Sequence, residues 1–145
     1  MSCDFIIPDK ISEKIDDLAE QGNRFFDNED YGKALDTWLK ALELIPSPQN
    51  CYAESVWFMT AIGDIYFVNE NFKTAYEYFE NAYTNISGKG TFNPFVIMRF
   101  GQCCLELGQK EKAAEYLLRA YMIDNDVFEY EDPKYIDFLK ENGIL

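Results

Sequence analysis

The sequence predicts an all-α protein: three helical hairpins in a short solenoid, closed by a C-terminal capping helix. Two observations predict this. Gly22, Phe25, Ala34, Trp38 and Ala41 are spaced by 3, 9, 4 and 3 residues, and the same intervals recur at Gly63, Tyr66, Ala75, Phe79 and Ala82, and at Gly101, Cys104, Ala113, Leu117 and Ala120. Small residues at the Gly and Ala positions let two helices approach closely, and the large residues fill the space between them, so each register describes a helical hairpin. Apolar residues also recur at helical spacing throughout, as in Ile11, Ile15, Leu18 and Phe25, and again in Leu35, Trp38, Leu42 and Ile45.

This spacing predicts helices over residues 9–28, 31–45, 51–69, 72–86, 94–107, 110–124 and 133–141. The first helix of each pair ends in a polar or glycine-bearing turn, "DNEDYGK", "VNENFKT" and "LELGQKEK". Between hairpins, "PSPQNCY" and "SGKGTFN" gather the Pro, Gly, Ser and Asn residues that punctuate a chain. The last helix begins with Asp132 as N-cap and Pro133 at the first helical position. Tyr135, Ile136, Phe138 and Leu139 are placed to cover the third hairpin, while Asp137, Lys140 and Glu141 face water, as the exposed end of a solenoid requires. No linker divides the chain, so residues 1–145 are expected to form one domain, with repeats at about 15–48, 56–89 and 94–125.

Composition narrows the function. The chain has 145 residues, 48% of them hydrophobic and 17% aromatic, enough to bury a core despite a net charge of −13. With 26 acidic against 13 basic side chains, nucleic acid and anionic membrane are excluded as partners and a basic protein is favoured. No apolar run is long enough to span a bilayer and no leader is visible, which points to a cytoplasmic protein. The absence of histidine removes the commonest general base and zinc ligand. Cys3, Cys51, Cys103 and Cys104 lack CxxC spacing and are expected to be reduced, structural thiols, with the adjacent pair pointing to different sides of a helix.

Specific catalytic patterns fail in turn. "SGKGT" around Lys89 lacks the strand, the earlier glycine and the following Ser or Thr of a phosphate loop. Asp124 and Asp126 open like a calcium loop, but Phe128 stands where a third oxygen ligand belongs. No carboxylate pair is singled out by spacing, and Cys3 has no base to activate it. No cofactor, metal or catalytic residue is expected.

The pattern G-x2-[FY]-x8-A-x3-[WF]-x2-A, with Pro46 closing the first unit, resembles the tetratricopeptide repeat from residue 15 to about 125. Cys104 and Leu117 replace the usual aromatics, and the units start 41 and 38 residues apart where that repeat has a period of about 34. The resemblance implies a right-handed solenoid with a concave groove lined by the first helix of each pair. Its groove positions would be Asp16, Glu20, Asn23, Phe26 and Asp27, then Trp57, Thr60, Asp64, Phe67 and Val68, then Phe95, Met98, Arg99, Gln102, Leu105 and Glu106. Trp57, Phe67 and Phe95 are either groove anchors or core.

Members of the family that bind acidic chaperone tails use a Lys, Asn, Asn, Lys and Arg clamp. Here Asn23 and Arg99 match, while Ala19, Ala61 and Phe95 occupy the other positions, and Asp64 is placed to pair with Arg99. The implied groove has the opposite sign and suits a basic partner. Asp126, Glu129, Tyr130 and Glu131, in the connection before the capping helix, extend it as an acidic rim. "EDPKY" with the following "FLK" also resembles the closing helix of stand-alone tetratricopeptide proteins found beside bacterial toxin genes. That resemblance implies an immunity protein that neutralises a basic toxin catalytic domain. The alternatives are an adaptor or assembly chaperone that holds a basic or amphipathic peptide, and a self-associating structural unit; a monomer or weak dimer is expected.

Overall fold

The computed structural model describes residues 3–85 and 90–145, so Lys89 and most of "SGKGT" lie outside the described residues. The described residues form seven α-helices: α1 (Asp9–Asp27), α2 (Tyr31–Leu44), α3 (Ala53–Val68), α4 (Phe72–Tyr83), α5 (Pro94–Glu106), α6 (Lys110–Ile123) and α7 (Lys134–Glu141). They pair as α1 with α2, α3 with α4 and α5 with α6, and neighbouring hairpins stack through α2 on α3 and α4 on α5. Most ends fall within one or two residues of expectation. Helix α4 stops three residues early, at Tyr83, where Thr84 Oγ1 donates to the Glu80 carbonyl at 2.9 Å.

The repeat register is physical. A Cβ on Gly22 would lie 2.0 Å from Nε1 of Trp38, on Gly63 3.0 Å from Phe79, and on Gly101 2.9 Å from Leu117. Each glycine therefore admits the large residue of the partner helix sixteen positions later, and Ala34, Ala75 and Ala113, all 0% exposed, complete the contact. Trp38 adds a hydrogen bond from Nε1 to the Ala19 carbonyl, 3.2 Å. The polar end of the indole is thus satisfied inside the hairpin.

The intra-hairpin turns repeat as closely. Asp30, Asn71 and Gln109 donate their backbone N–H to the carbonyls of Phe25, Tyr66 and Cys104, and Glu29, Glu70 and Gly108 donate to Phe26, Phe67 and Leu105. This doubled bonding is the Schellman helix ending, which places one residue in the left-handed region. That residue has φ 59° at Glu29, 62° at Glu70 and 80° at Gly108. Glycine, the comfortable choice, is used only in the third hairpin. Asp30 and Asn71 then cap α2 and α4, accepting from Lys33 N and Thr74 N at 3.5 and 3.4 Å.

Helix α5 is the most enclosed element: every residue from Val96 to Cys104 is buried. Asn93 starts it, its Oδ1 accepting from Phe95 N at 3.0 Å and Val96 N at 3.2 Å, with Pro94 in the first turn. Helix α7 closes the end as expected. Tyr135 and Leu139 are buried, Ile136 and Phe138 are half-buried, Asp137, Lys140 and Glu141 are exposed, and Asp132 Oδ1 accepts from Lys134 N at 3.0 Å.

One expectation is overturned. Cys3 and Cys51 form a disulfide, with Cα atoms 5.2 Å apart. The N-terminal segment folds back onto the joint between α2 and α3, where Phe5 N donates to the Cys51 carbonyl at 2.9 Å, Phe5 packs edge-on against Tyr52, and Ile7 is buried. Residue spacing across 48 positions could not reveal the pairing. Disulfides persist in oxidising surroundings, so cysteine usage gives no support to a reducing compartment. Cys103 and Cys104 are free and buried.

Burial raises both thiols, Cys104 to about 11 and Cys103 further. Both therefore stay protonated, and unreactive, at neutral pH. A thiol reagent at pH 8 should find two fast thiols per chain in denaturant and none in the native protein; fast native labelling would place a cysteine at the surface. Gly22→Ala should lower stability by about 1–3 kcal/mol by overpacking against Trp38, while Glu70→Gly should raise it by roughly 0.5–1 kcal/mol by relieving the left-handed turn. Urea denaturation of the two variants checks both signs.

Candidate functional site

Asp16, Glu20, Asn23 and Asp27, spaced by 4, 3 and 4 residues, lie exposed along one face of α1. Phe26 is half-buried beside them, 5.4 Å from the Tyr31 ring and 6.0 Å from Trp38. On α3, Trp57 packs edge-on against Trp38 and Phe58, at 5.7 and 4.9 Å, yet keeps 42% of its surface exposed. It forms a ridge between two clefts. One, of about 610 Å³, is lined by Ile15, Asp16, Ala19, Glu54 and Phe58. The other, of about 500 Å³, is lined by Asn23, Phe26, Trp38, Thr60, Asp64, Asn93 and Phe95.

Further along the groove, Arg99 is buried against two rings, its guanidinium carbon 4.3 Å from the Phe67 centroid and 4.8 Å from that of Phe95. Nε donates to Asp64 Oδ1 at 2.8 Å, and Nη1 donates to Gln102 Oε1 at 2.7 Å and to Glu131 Oε1. Gln102 Nε2 donates to the same Glu131 oxygen at 2.8 Å. The expected pairing of Asp64 with Arg99 is present. Contact with two rings together with several directed hydrogen bonds suits a planar guanidinium and would not suit lysine. Two carboxylates against one cation leave the cluster with a net negative charge.

Placement divides the predicted residues. Asp16, Glu20, Asn23, Asp27 and Trp57 are exposed, and Phe26, Thr60, Asp64, Phe67 and Phe95 are half-buried on the same wall. Met98 and Gln102 are 0% exposed and support that wall from beneath. Arg99, 8% exposed, is already engaged. Of the expected rim, Asp126 and Glu129 are exposed and Tyr130 is 91% exposed. Glu131 is different: instead of standing free in the rim, it reaches back to Arg99 and Gln102 and ties the C-terminal connection to α5. Phe128 also turns inward, 6.1 Å from Tyr121. Glu106 is likewise engaged, accepting from Tyr135 Oη at 2.9 Å and pairing with Lys134 Nζ at 2.6 Å. Burial, then that hydrogen bond, raises the Tyr135 hydroxyl, which stays neutral and donating.

Sequence reasoning did not single out Glu54, Asn93 or Trp38 as groove residues. Trp38 was assigned wholly to hairpin packing, and Asn93 carried a signal in the Asn-Pro pair that starts an apolar helix. Among the described residues, no group of three or more His, Cys, Asp or Glu is placed to hold a metal, and no helix is long and apolar enough to cross a membrane.

Arg99→Ala would strand two carboxylates, so it should cost about 3–5 kcal/mol in urea denaturation. Glu131→Gln, which keeps the shape and an acceptor oxygen, should cost clearly less. Equal, small losses would show that the cluster contributes little to folding.

The tetratricopeptide repeat family model matches residues 96–127, which span α5, α6 and the turn after them. No curated protein matches the chain in sequence. Among solved structures, the first TPR of Spaghetti (RPAP3) bound to the HSP90 peptide SRMEEVD is 20% identical, with a TM-score of 0.69 over 90% of each chain. The N-terminal domain of stress-induced protein-1 from C. elegans is 19% identical, with a TM-score of 0.65 over 92% of this chain and 98% of that one. The Sgt2 TPR domain from Aspergillus fumigatus is 18% identical, with a TM-score of 0.64 over 90% and 82%. The chain carries a tetratricopeptide repeat at residues 96–127 and has the fold of tetratricopeptide-repeat domains.

Proposed function

We propose that this protein is a non-catalytic binding module whose concave groove receives a basic or amphipathic segment of another protein. The observation that carries this reading is the exposed Trp57 ridge between two clefts, on a wall whose charged side chains are almost all acidic. An aromatic anchor beside a groove supplies binding energy, and the surrounding acids select the sign of the partner and speed its approach. Spaghetti, the structural neighbour, binds an acidic peptide. Here the one cation at a matching position, Arg99, is held by Asp64 and Glu131, and an acidic peptide would meet repulsion.

A finer form of the reading is an immunity protein that covers a basic toxin domain. The net charge of −13 supports it, as does the resemblance of the closing helix. The product of the neighbouring gene tests it, with tight binding and loss of that product's toxicity as the expected result; a neighbour that is no toxin removes this form and leaves the broader one.

Titrating the full chain with peptides matched in apolar residues but opposite in charge tests the broader form. Basic amphipathic peptides should bind with an affinity that falls as salt rises, and SRMEEVD should not bind measurably. The reverse preference would sink the proposal. Trp57→Ala should weaken binding by about tenfold or more with helix content unchanged by circular dichroism. Reversing Asp16, Glu20 and Asp27 to lysine should slow association by roughly tenfold and flatten its salt dependence. A dimer that survives high salt in light scattering would put a second copy in the groove instead.

A further inference from the structure

The 500 Å³ cleft between α1, α3 and the start of α5 differs from the rest of the groove. Its walls bring together the rings of Phe26, Trp38, Trp57 and Phe95, and its polar groups include Asp64 and Thr60. Neither lysine nor arginine lines it. Aromatic faces attract organic cations through the ring quadrupole, most strongly where water is thinned out. A carboxylate at the edge of such a ring cluster adds a directed counter-charge.

Asp64 has the position for that role. Arg99 Nε donates to Oδ1, so Oδ2 is the oxygen left for a guest, and the Glu131 carboxylate on Arg99 offsets the charge of that guanidinium. Thr60 spends its proton on the Val56 carbonyl, at 2.6 Å, so its hydroxyl oxygen is left as an acceptor. Arg99, which pairs with Asp64 and contacts the Phe95 ring, is not among the residues that line the cleft, so these rings and acceptors present a surface complementary to a positive side chain.

We infer that this cleft is a cation pocket, taking the arginine or lysine side chain of the bound segment between Trp57 and Phe95 with Asp64 as its counter-ion. The inference rests on the binding reading above and narrows it. The exposed acids of α1 act on approach, whereas the pocket selects one residue of the partner. A guanidinium or ammonium seated there would fix the register of the segment along the groove.

Two pairs of short peptides test this with the full chain by NMR titration. In one pair the central residue is arginine or its neutral isostere citrulline; in the other it is lysine or acetyl-lysine. The charged member of at least one pair should bind roughly tenfold tighter than its neutral partner. It should shift the Trp57 indole N–H and the Thr60 and Asp64 amides. Which pair shows the preference assigns guanidinium or ammonium. Asp64→Asn should reduce the preference to less than about threefold. Because Asp64 also holds Arg99, Trp57→Leu serves as an independent variant at an exposed position and should have the same effect. Equal affinities within both pairs overturn the pocket, as does the absence of any shift. A charge preference whose shifts map to Asp16, Glu20 and Asp27 overturns the pocket too, while leaving the broader groove reading in place.

Discussion

The whole architecture depends on how closely two helices can cross. In each hairpin a glycine of the first helix stands against a large side chain of the second, and no Cβ fits between them at Gly22 and Trp38. That contact fixes the helix separation, and with it the angle at which the hairpin presents its outer surfaces to the next. Stacking then follows from geometry, since α2 meets α3 and α4 meets α5 through surfaces already positioned by the crossings. A groove formed by α1, α3 and α5 is the consequence of the three crossings, and the side chains on its wall, Trp38 excepted, do not set the spacing.

That independence of scaffold and wall explains what could be read from the residues. The hairpins were legible because the crossing needs particular sizes at fixed intervals, and the turns were legible because Asn, Asp and Gly cluster where the backbone must enter the left-handed region. Glu29 and Glu70 hide the same turn from a residue-type reading, and the turn forms anyway because two backbone hydrogen bonds hold it. What was not legible depends on contacts between distant segments. The Cys3–Cys51 pairing and the return of Glu131 to Arg99 both join residues with no periodic relation. The Asp64–Arg99 pair was visible because both sit at groove positions in adjacent repeats.

The groove itself carries two kinds of anion. The carboxylates of Asp16, Glu20 and Asp27 project into solvent, where salt screens them and their influence is mainly on encounter. Asp64 and Glu131 are largely covered and hydrogen-bonded to Arg99, where screening is weak and position is fixed. The same sign of charge thus acts at two ranges. The Arg99 guanidinium is held by two rings and three hydrogen-bond partners, whereas Trp57 packs on Trp38 and Phe58 and keeps 42% of its surface exposed.

The two ends of the solenoid are secured by unlike chemistry. At the N-terminal end a covalent bond fastens the first segment to the joint between hairpins one and two, so releasing that segment requires an electron donor. At the C-terminal end the fastening consists of ion pairs, a tyrosine hydroxyl and the packing of α7, all of which can open and reform thermally. In a stack where each unit contacts only its neighbours, order is lost from whichever end opens more easily. Here that asymmetry gives the molecule a direction: amide protection should decay from α7 inwards, and the third hairpin, whose helix α5 forms one wall of the groove, is the part whose opening the surroundings would modulate first.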